Sequence, residues 1–348
     1  MSSRIQLLDC TIRDGGLGLE DAHKNKLSDL CFSSKDITDI ENWLFKTNSD
    51  IIELGSIELS SDDKRKYGIY KTVEEISKRI PNNHSDKQLF VGLYRGPDTP
   101  IEDIPNRQDG MCDGVRVILR YSELKKSLNF CKALSEKGYK VFVQPMLTMR
   151  YTEEELEYIV KSSNEMGAYA LYFVDSYGYM EPKDIQKFFD FYDSRLDKEI
   201  RIGFHAHNNM NLAFSNARYF LDIKTERKII IDSCMQGMGQ GAGNLQTEIL
   251  TDYLNNKYKS DQKFDYDYNA VLETCEIIDK YLLRNSWGYS LTYLLPAIHH
   301  VAYKYSVALR YQYKLKYKEI NNIFSNMPEE LRHRYTPENV KELLKRFN

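Results

Sequence analysis

The 348-residue chain is 42% hydrophobic and 28% charged, with a formal net charge of −3. That length suits one large core, or a barrel with an appendage. The charges are mixed, and no basic block is long enough for a nucleic-acid surface.

The amino terminus, MSSRIQLLDCTIRDGG, meets acidic residues at once and offers no signal-peptide core. Its apolar run Ile5 to Asp9 reads as the first strand. Ile37, Ile40, Trp43 and Leu44 follow at helical spacing within Asp36 to Lys46. Ile51 to Leu54 is the second strand, before a helical TVEEISKRI from Thr72. Leu89 to Leu93 leads into a polar, proline-containing connection with no legible helix. Val115 to Leu119 precedes a helix expected to be capped by Ser122 and stopped near Gly138. Lys140 to Met146 precedes one that opens on a Thr152–Glu155 capping box and ends at Gly167. Ala170 to Asp175 is followed by a helix with Pro182 in its first turn. Ile200 to Phe204 precedes a helix near Asn211 to Leu221, and Ile229 to Ser233 one after Asn244.

Eight strands in strict alternation with helices imply parallel pairing and a closed (β/α)8 TIM barrel. A doubly wound open sheet is the rival. However, the first strand–helix junction lacks the G-x-G-x-x-G pattern. Beyond about Tyr258 the alternation stops, so residues 1–258 read as the barrel domain and 259–348 as a helical carboxyl-terminal region. Its helices are expected at Asp267 to Leu283, Leu291 to Tyr313, Tyr317 to Phe324 and Pro337 to Phe347. From about Asp261 onward this region is expected to pack across the rim or make a subunit contact. Trp287 to Tyr303 is the least polar late stretch, but Pro296, His299 and His300 make it a buried helix rather than a membrane span. Cys10, Cys31, Cys112, Cys131, Cys234 and Cys275 show no Cys-x-x-Cys spacing. They suit a reduced, cytoplasmic protein.

Barrel active sites lie at the carboxyl ends of the strands. Residues i and i+2 of a strand share a face, so His205 and His207 project together from the end of strand seven. Two imidazoles at that spacing suit one divalent cation, or else form a hydrogen-bonded core pair. Asp14, after strand one, supplies an anionic oxygen, and Asn244, after strand eight, a neutral one. Arg13 can aim fixed donors at an oxyanion growing on a chelated substrate. Thr11, Asp175, Ser176 and Asn208 lie on the same loops as candidate substrate contacts. The glycines from Gly237 to Gly243 allow close backbone approach, with a helix amino terminus following. Each element also has a plain structural reading: Arg13 and Asp14 as a turn ion pair, Asp175 as a loop cap, the glycines as a turn.

DCTIRDGG, VDSYG, GFHAHNN and GMGQGAGN, in that order, resemble the metal-dependent RDG-motif superfamily of aldolases and acyltransferases on a TIM barrel. It includes 3-hydroxy-3-methylglutaryl-CoA (HMG-CoA) lyase and the isopropylmalate and homocitrate synthases. The nearest resemblance is to its 4-hydroxy-2-oxovalerate aldolase branch, and Trp287 to Tyr293 is similar to that branch's Gly-Tyr segment. The resemblance implies Asp14, His205 and His207 as ligands of Mn²⁺ or Mg²⁺. Asn244 matches a ligand of the lyase branch, and Arg13 the arginine that stabilises the enolate. It further implies a homo-oligomer and, in some members, a dehydrogenase partner that receives the product. The chain departs from the pattern at Leu17, where the hydroxy-oxovalerate aldolases carry a catalytic histidine, and the lyase branch's cysteine loop has no counterpart. Tyr289 and Tyr293 are then the candidate proton donors, or core tyrosines.

The expected function is a metal-dependent carbon–carbon lyase or synthase acting through the enolate of pyruvate or a related 2-oxo acid and a carbonyl partner. An acyl-CoA acyltransferase of the same superfamily and an inactive ligand-binding barrel are the alternatives.

Overall fold

The computed structural model describes residues 4–60, 62–82, 84–85, 87–260, 262–282, 284 and 287–347. Eight parallel strands close into a barrel: Ile5–Asp9, Ile51–Ile57, Leu89–Tyr94, Gly114–Leu119, Lys140–Pro145, Ala170–Asp175, Arg201–Ala206 and Ile229–Ser233. Closure is made by the first strand, where Leu8 pairs with Ile51 on one side and Asp232 on the other. The strands are almost continuous apolar runs because helices cover one face and the barrel interior the other. The two-residue strand Ile69–Tyr70 adds to the second. The α/β TIM barrel with carboxyl-terminal helices is therefore as expected.

Local chemistry sets most of the helices. Ser33 and Thr152 each form a capping box, the latter as expected, and Pro182 opens its helix at the first turn. Ser122 does not cap. It lies in a 3₁₀ turn, Tyr121–Glu123, ahead of the helix Leu124–Glu136. Between Leu89–Tyr94 and Gly114–Leu119 only a 3₁₀ turn, Ile101–Asp103, takes the place of a helix.

The first motif is not a loop. Thr11–Lys24 is one helix, with Asp14 in its first turn. Glycine inside a helix costs about 0.5–1 kcal/mol relative to alanine, and this helix holds Gly15, Gly16 and Gly18. Contact explains them. A Cβ at Gly16 would overlap the Tyr67 carbonyl, and one at Gly18 the Gly239 carbonyl. The helix thus lies directly against two neighbouring segments, which fixes Arg13 and Asp14 at the rim.

The helix Tyr268–Leu282 is where it was expected, with Leu283 outside the described residues, as is Asp261. Its Val271, Cys275 and Ile278 join the barrel's own hydrophobic core, as does Trp287. The expected single helix from Leu291 to Tyr313 is broken into Leu291–Ile298, Tyr303–Val307 and a π turn, Ala308–Gln312. Pro296 lies inside the first piece, where it has no amide to donate, and His300 takes a left-handed φ of 53° at the corner that follows. Val301, Tyr305, Ile320, Phe324 and Leu343 then build a second, separate core. Ala302 to Lys304 and His333 to Tyr335 reach from it to the barrel rim.

Candidate metal centre and active site

Strand seven runs to Ala206, so His205 is its last residue but one and His207 lies just beyond. Their rings meet edge to face, 5.1 Å apart. Asp14 faces both from the first turn of its helix, its Oδ2 3.9 Å from His205 Nε2. The nearest ligand atoms of Asp14, His205 and His207 all lie within 4.8 Å of one another. Two ligands about 2.1 Å from one ion are at most about 4.2 Å apart, so a small closing movement suffices for a cation.

Three observations fit a cation there. First, His205 turns its other nitrogen, Nδ1, to Asp232 Oδ2 at 3.0 Å, the carboxylate–histidine pairing that orients a metal-bound imidazole. Second, Asn244 Oδ1 is buried with no partner, while its Nδ2 donates to Asp14 and to the Met238 carbonyl. Third, Gly239 leaves room beside this pair, because a Cβ there would crowd both Asp14 and Asn244. Burial opposes charge on His205, yet the bond to Asp232 outweighs it and lifts the imidazole to about 9. Burial and the neighbouring His205 push His207 down to about 4, so it stands neutral.

Behind the ligands runs a buried chain of alternating charge. Arg13 donates to Asp14 at 2.6 Å and to Glu53 at 2.7 Å. Arg116 donates to Glu53 at 2.8 Å and also to Asp232, and the hydroxyl of Tyr172 reaches Asp232 at 3.0 Å. Glu53 and Arg116 are fully buried. Three carboxylates against two guanidiniums leave one negative charge, which the protonated His205 imidazole balances until a cation takes the place of its proton. Sequence reasoning missed Glu53, Arg116, Tyr172 and Asp232. The signal was there, since an ionisable residue inside an otherwise apolar barrel strand must find a buried partner.

The centre opens into a cavity of about 790 Å³. Arg13, Asp14, Leu17, His205 and His207 line it, with Ser176, Tyr177 and Asn209 from the neighbouring loops. Arg13 Nη2 takes no partner among the described residues, which leaves a donor for a ligand. Tyr303, Lys304 and His333 of the second core complete the wall.

Several expected contacts are corrected. Thr11 is buried under the centre, donating to Asp9 and accepting the Met235 amide. Asp175 spends its carboxylate on the amides of Tyr179 and Met180, the loop-cap reading, and burial lifts it to about 7. Asn208 Oδ1 accepts the Ala213 amide, and its neighbour Asn209 lines the cavity instead. Ser176 does reach the cavity, although its Oγ already accepts the Leu147 amide. Tyr289 is 57% exposed and off the cavity wall. Tyr293 sits behind Tyr303, ring centroids 5.8 Å apart, so in this segment it is Tyr303, bonded to Asp21, that lines the cavity. Turns and a broken helix decide these placements, and neither was legible from spacing.

Known proteins resemble this chain in sequence and in fold. The HMGL-like family model matches residues 113–278. A 4-hydroxy-2-oxovalerate aldolase of Carboxydothermus hydrogenoformans is 27% identical over 251 residues, covering 72% of this chain and 70% of its own. An oxaloacetate decarboxylase of Mycobacterium tuberculosis is 22% identical and covers 70% and 68%. In structure, the amino-terminal domain of a candidate aldolase from Bacteroides vulgatus superposes with a TM-score of 0.71 at 24% identity, over 89% of this chain and 98% of that one. That likeness speaks for the fold alone. The chain is thus similar to the HMGL-like family over residues 113–278 and to the 4-hydroxy-2-oxovalerate aldolases over most of its length, the resemblance its four motifs indicated.

Proposed function

We propose that this protein is a divalent-metal-dependent carbon–carbon lyase that forms or uses the enolate of pyruvate or a related 2-oxo acid. The observation that carries this reading is the convergence of Asp14, His205 and His207 with the open guanidinium face of Arg13 on one cavity. A bound Mn²⁺ or Mg²⁺ supplies Lewis-acid polarisation of the substrate's keto and carboxylate oxygens. Arg13, held by Asp14 and Glu53, presents its remaining Nη to the enolate oxygen, and needs no reorganisation to do so. His205 is held in register by Asp232, and Leu17 gives the same cavity an apolar side. The relatives' names, aldolase and oxaloacetate decarboxylase, share such an enolate.

The carbonyl partner is a small molecule. Among the described residues no helix is long and apolar enough to cross a membrane, and the free cysteines suit our placement in the cytoplasm. A homo-oligomer is our reading of the exposed Ile249, Tyr268 and Leu272 on two adjoining helices.

The test is hydrogen–deuterium exchange at the pyruvate methyl group, with Mn²⁺ and with a chelator. Metal-dependent exchange is expected. Its absence in the metal-loaded protein, together with no turnover of oxaloacetate, overturns the reading in favour of an inactive barrel. A second reading is favoured by Leu17, the apolar residue where a base is expected. Decarboxylation of oxaloacetate releases the same enolate without removing a proton, so oxaloacetate turnover without methyl exchange identifies a decarboxylase.

A further inference from the structure

Tyr177 and His333 of the cavity wall are linked to one another and to Glu329, an exposed carboxylate just outside that wall. Tyr177 follows strand six and is 8% exposed. Its hydroxyl lies 2.9 Å from His333 Nδ1, and His333 Nε2 lies 2.9 Å from Glu329 Oε1. A carboxylate only accepts, so Nε2 carries the imidazole proton, and Nδ1 accepts from the Tyr177 hydroxyl. The two rings stack at 22° with centroids 6.1 Å apart, which fixes their relative orientation. The Tyr177 loop abuts the centre. His207 donates its amide to the Asp175 carbonyl at 3.4 Å, and a Cβ on Gly178 would collide with the His207 carbonyl. Tyr177 and His333 line the same cavity as Arg13, Asp14 and His207.

We infer that Tyr177, His333 and Glu329 form the proton-carrying array of this site, with the Tyr177 oxygen as the group that meets the substrate. The inference rests on the lyase reading. It also supplies what Leu17 cannot. A nucleophile or base, a histidine beside it and a carboxylate behind the histidine is the arrangement that moves a proton without leaving a bare charge.

In cleavage of a 4-hydroxy-2-oxo acid, the substrate hydroxyl gives its proton to the Tyr177 oxygen as the Tyr177 proton passes to His333 Nδ1. The O–H electron pair becomes the second bond of the aldehyde carbonyl. The carbon–carbon pair becomes the enolate that Arg13 faces, and Glu329 offsets the charge of the imidazolium. Return of that proton through Tyr177 to the enolate carbon gives the 2-oxo acid and restores the array. Burial lowers the His333 pKa, and Arg150 and Arg332 add to this against Glu329, so the resting ring is neutral and able to accept. Tyr177 is the catalytic residue, whereas His333 and Glu329 are positioning residues that act through it.

Methyl exchange of pyruvate in deuterated water with Mn²⁺ tests this without a carbonyl partner. Tyr177→Phe and His333→Gln are each expected to slow maximal exchange on the order of 10²–10⁴-fold. Bound Mn²⁺ and the half-saturating pyruvate concentration should stay within about threefold of the wild type. His333→Ala should regain exchange when imidazole is added, a rescue that a merely structural histidine does not give. Normal exchange in Tyr177→Phe overturns the array and leaves the lyase reading standing. Loss of metal or pyruvate affinity in both variants, with no imidazole rescue, overturns it in favour of a packing role. A wild type that does not exchange defeats the array, and oxaloacetate turnover then decides whether the lyase reading falls with it.

Discussion

Removing the His207 imidazole takes away one of the three proposed ligands and leaves His205 and Asp14 with their own supports intact. His207→Ala should therefore stay folded and lose most of its bound Mn²⁺, as read by elemental analysis. An unchanged metal content assigns the ion elsewhere. Arg13 calls for a gentler change, because alanine would leave the buried Glu53 carboxylate with Arg116 alone. Arg13→Lys keeps a charge near Asp14 and Glu53 but loses the forked geometry that leaves one Nη for the substrate. Metal content should be retained, and pyruvate methyl exchange should slow on the order of 10²–10³-fold, the loss for one oxyanion donor. Exchange at the wild-type rate in that variant would reduce Arg13 to an ion-pair partner of Asp14. At this scale the sequence was informative about the ligands, since a strand's period of two and the His-x-His spacing put both rings on one side. It was silent about Asn209 and Tyr303, because turn geometry and a helix break decide which of two neighbours faces inward.

The strands do more than carry ligands. Glu53, Arg116 and Asp232 sit on the second, fourth and eighth strands and join them across the barrel interior. Breaking a buried pair by removing one partner costs roughly 3–5 kcal/mol, and Arg116 has two partners and stacks on Tyr172, 5.0 Å from the ring centroid. Arg116→Met should lower unfolding free energy by about that amount in a denaturant titration, with His205 losing its fixed Asp232 contact as well. A loss below about 1 kcal/mol would make the network dispensable. The eight strands were legible because parallel barrel strands are apolar on both sides, and Thr152 and Pro182 mark helix starts by their own chemistry. The helix of the first motif was not, for three glycines ordinarily signal a turn. Only the neighbouring Met238 side chain and the Tyr67 and Gly239 carbonyls explain them.

The molecule is built from two cores that meet at the rim. The helix Tyr268–Leu282 and Trp287 belong to the barrel's core, while the segments from Val301 to Leu343 pack on one another. The second body is fastened on two sides of the cavity. Tyr303 and Lys304 bind Asp21 of the first helix, and His333 binds Tyr177 after strand six. Apolar periodicity revealed that this region is helical, but its two clamps depend on hydrogen bonds that no spacing encodes. Truncation after Ser290 removes the second core whole and leaves the first intact, so the shortened chain should keep its circular dichroism and its Mn²⁺. It should lose methyl exchange on the order of 10²-fold or more, because the His333 end of the proton array goes with the deleted segment. Full activity in the folded truncation would show that the barrel rim alone holds the chemistry. Failure of the truncation to fold would show that the clamps at Asp21 and Tyr177 support the barrel as well as close its cavity.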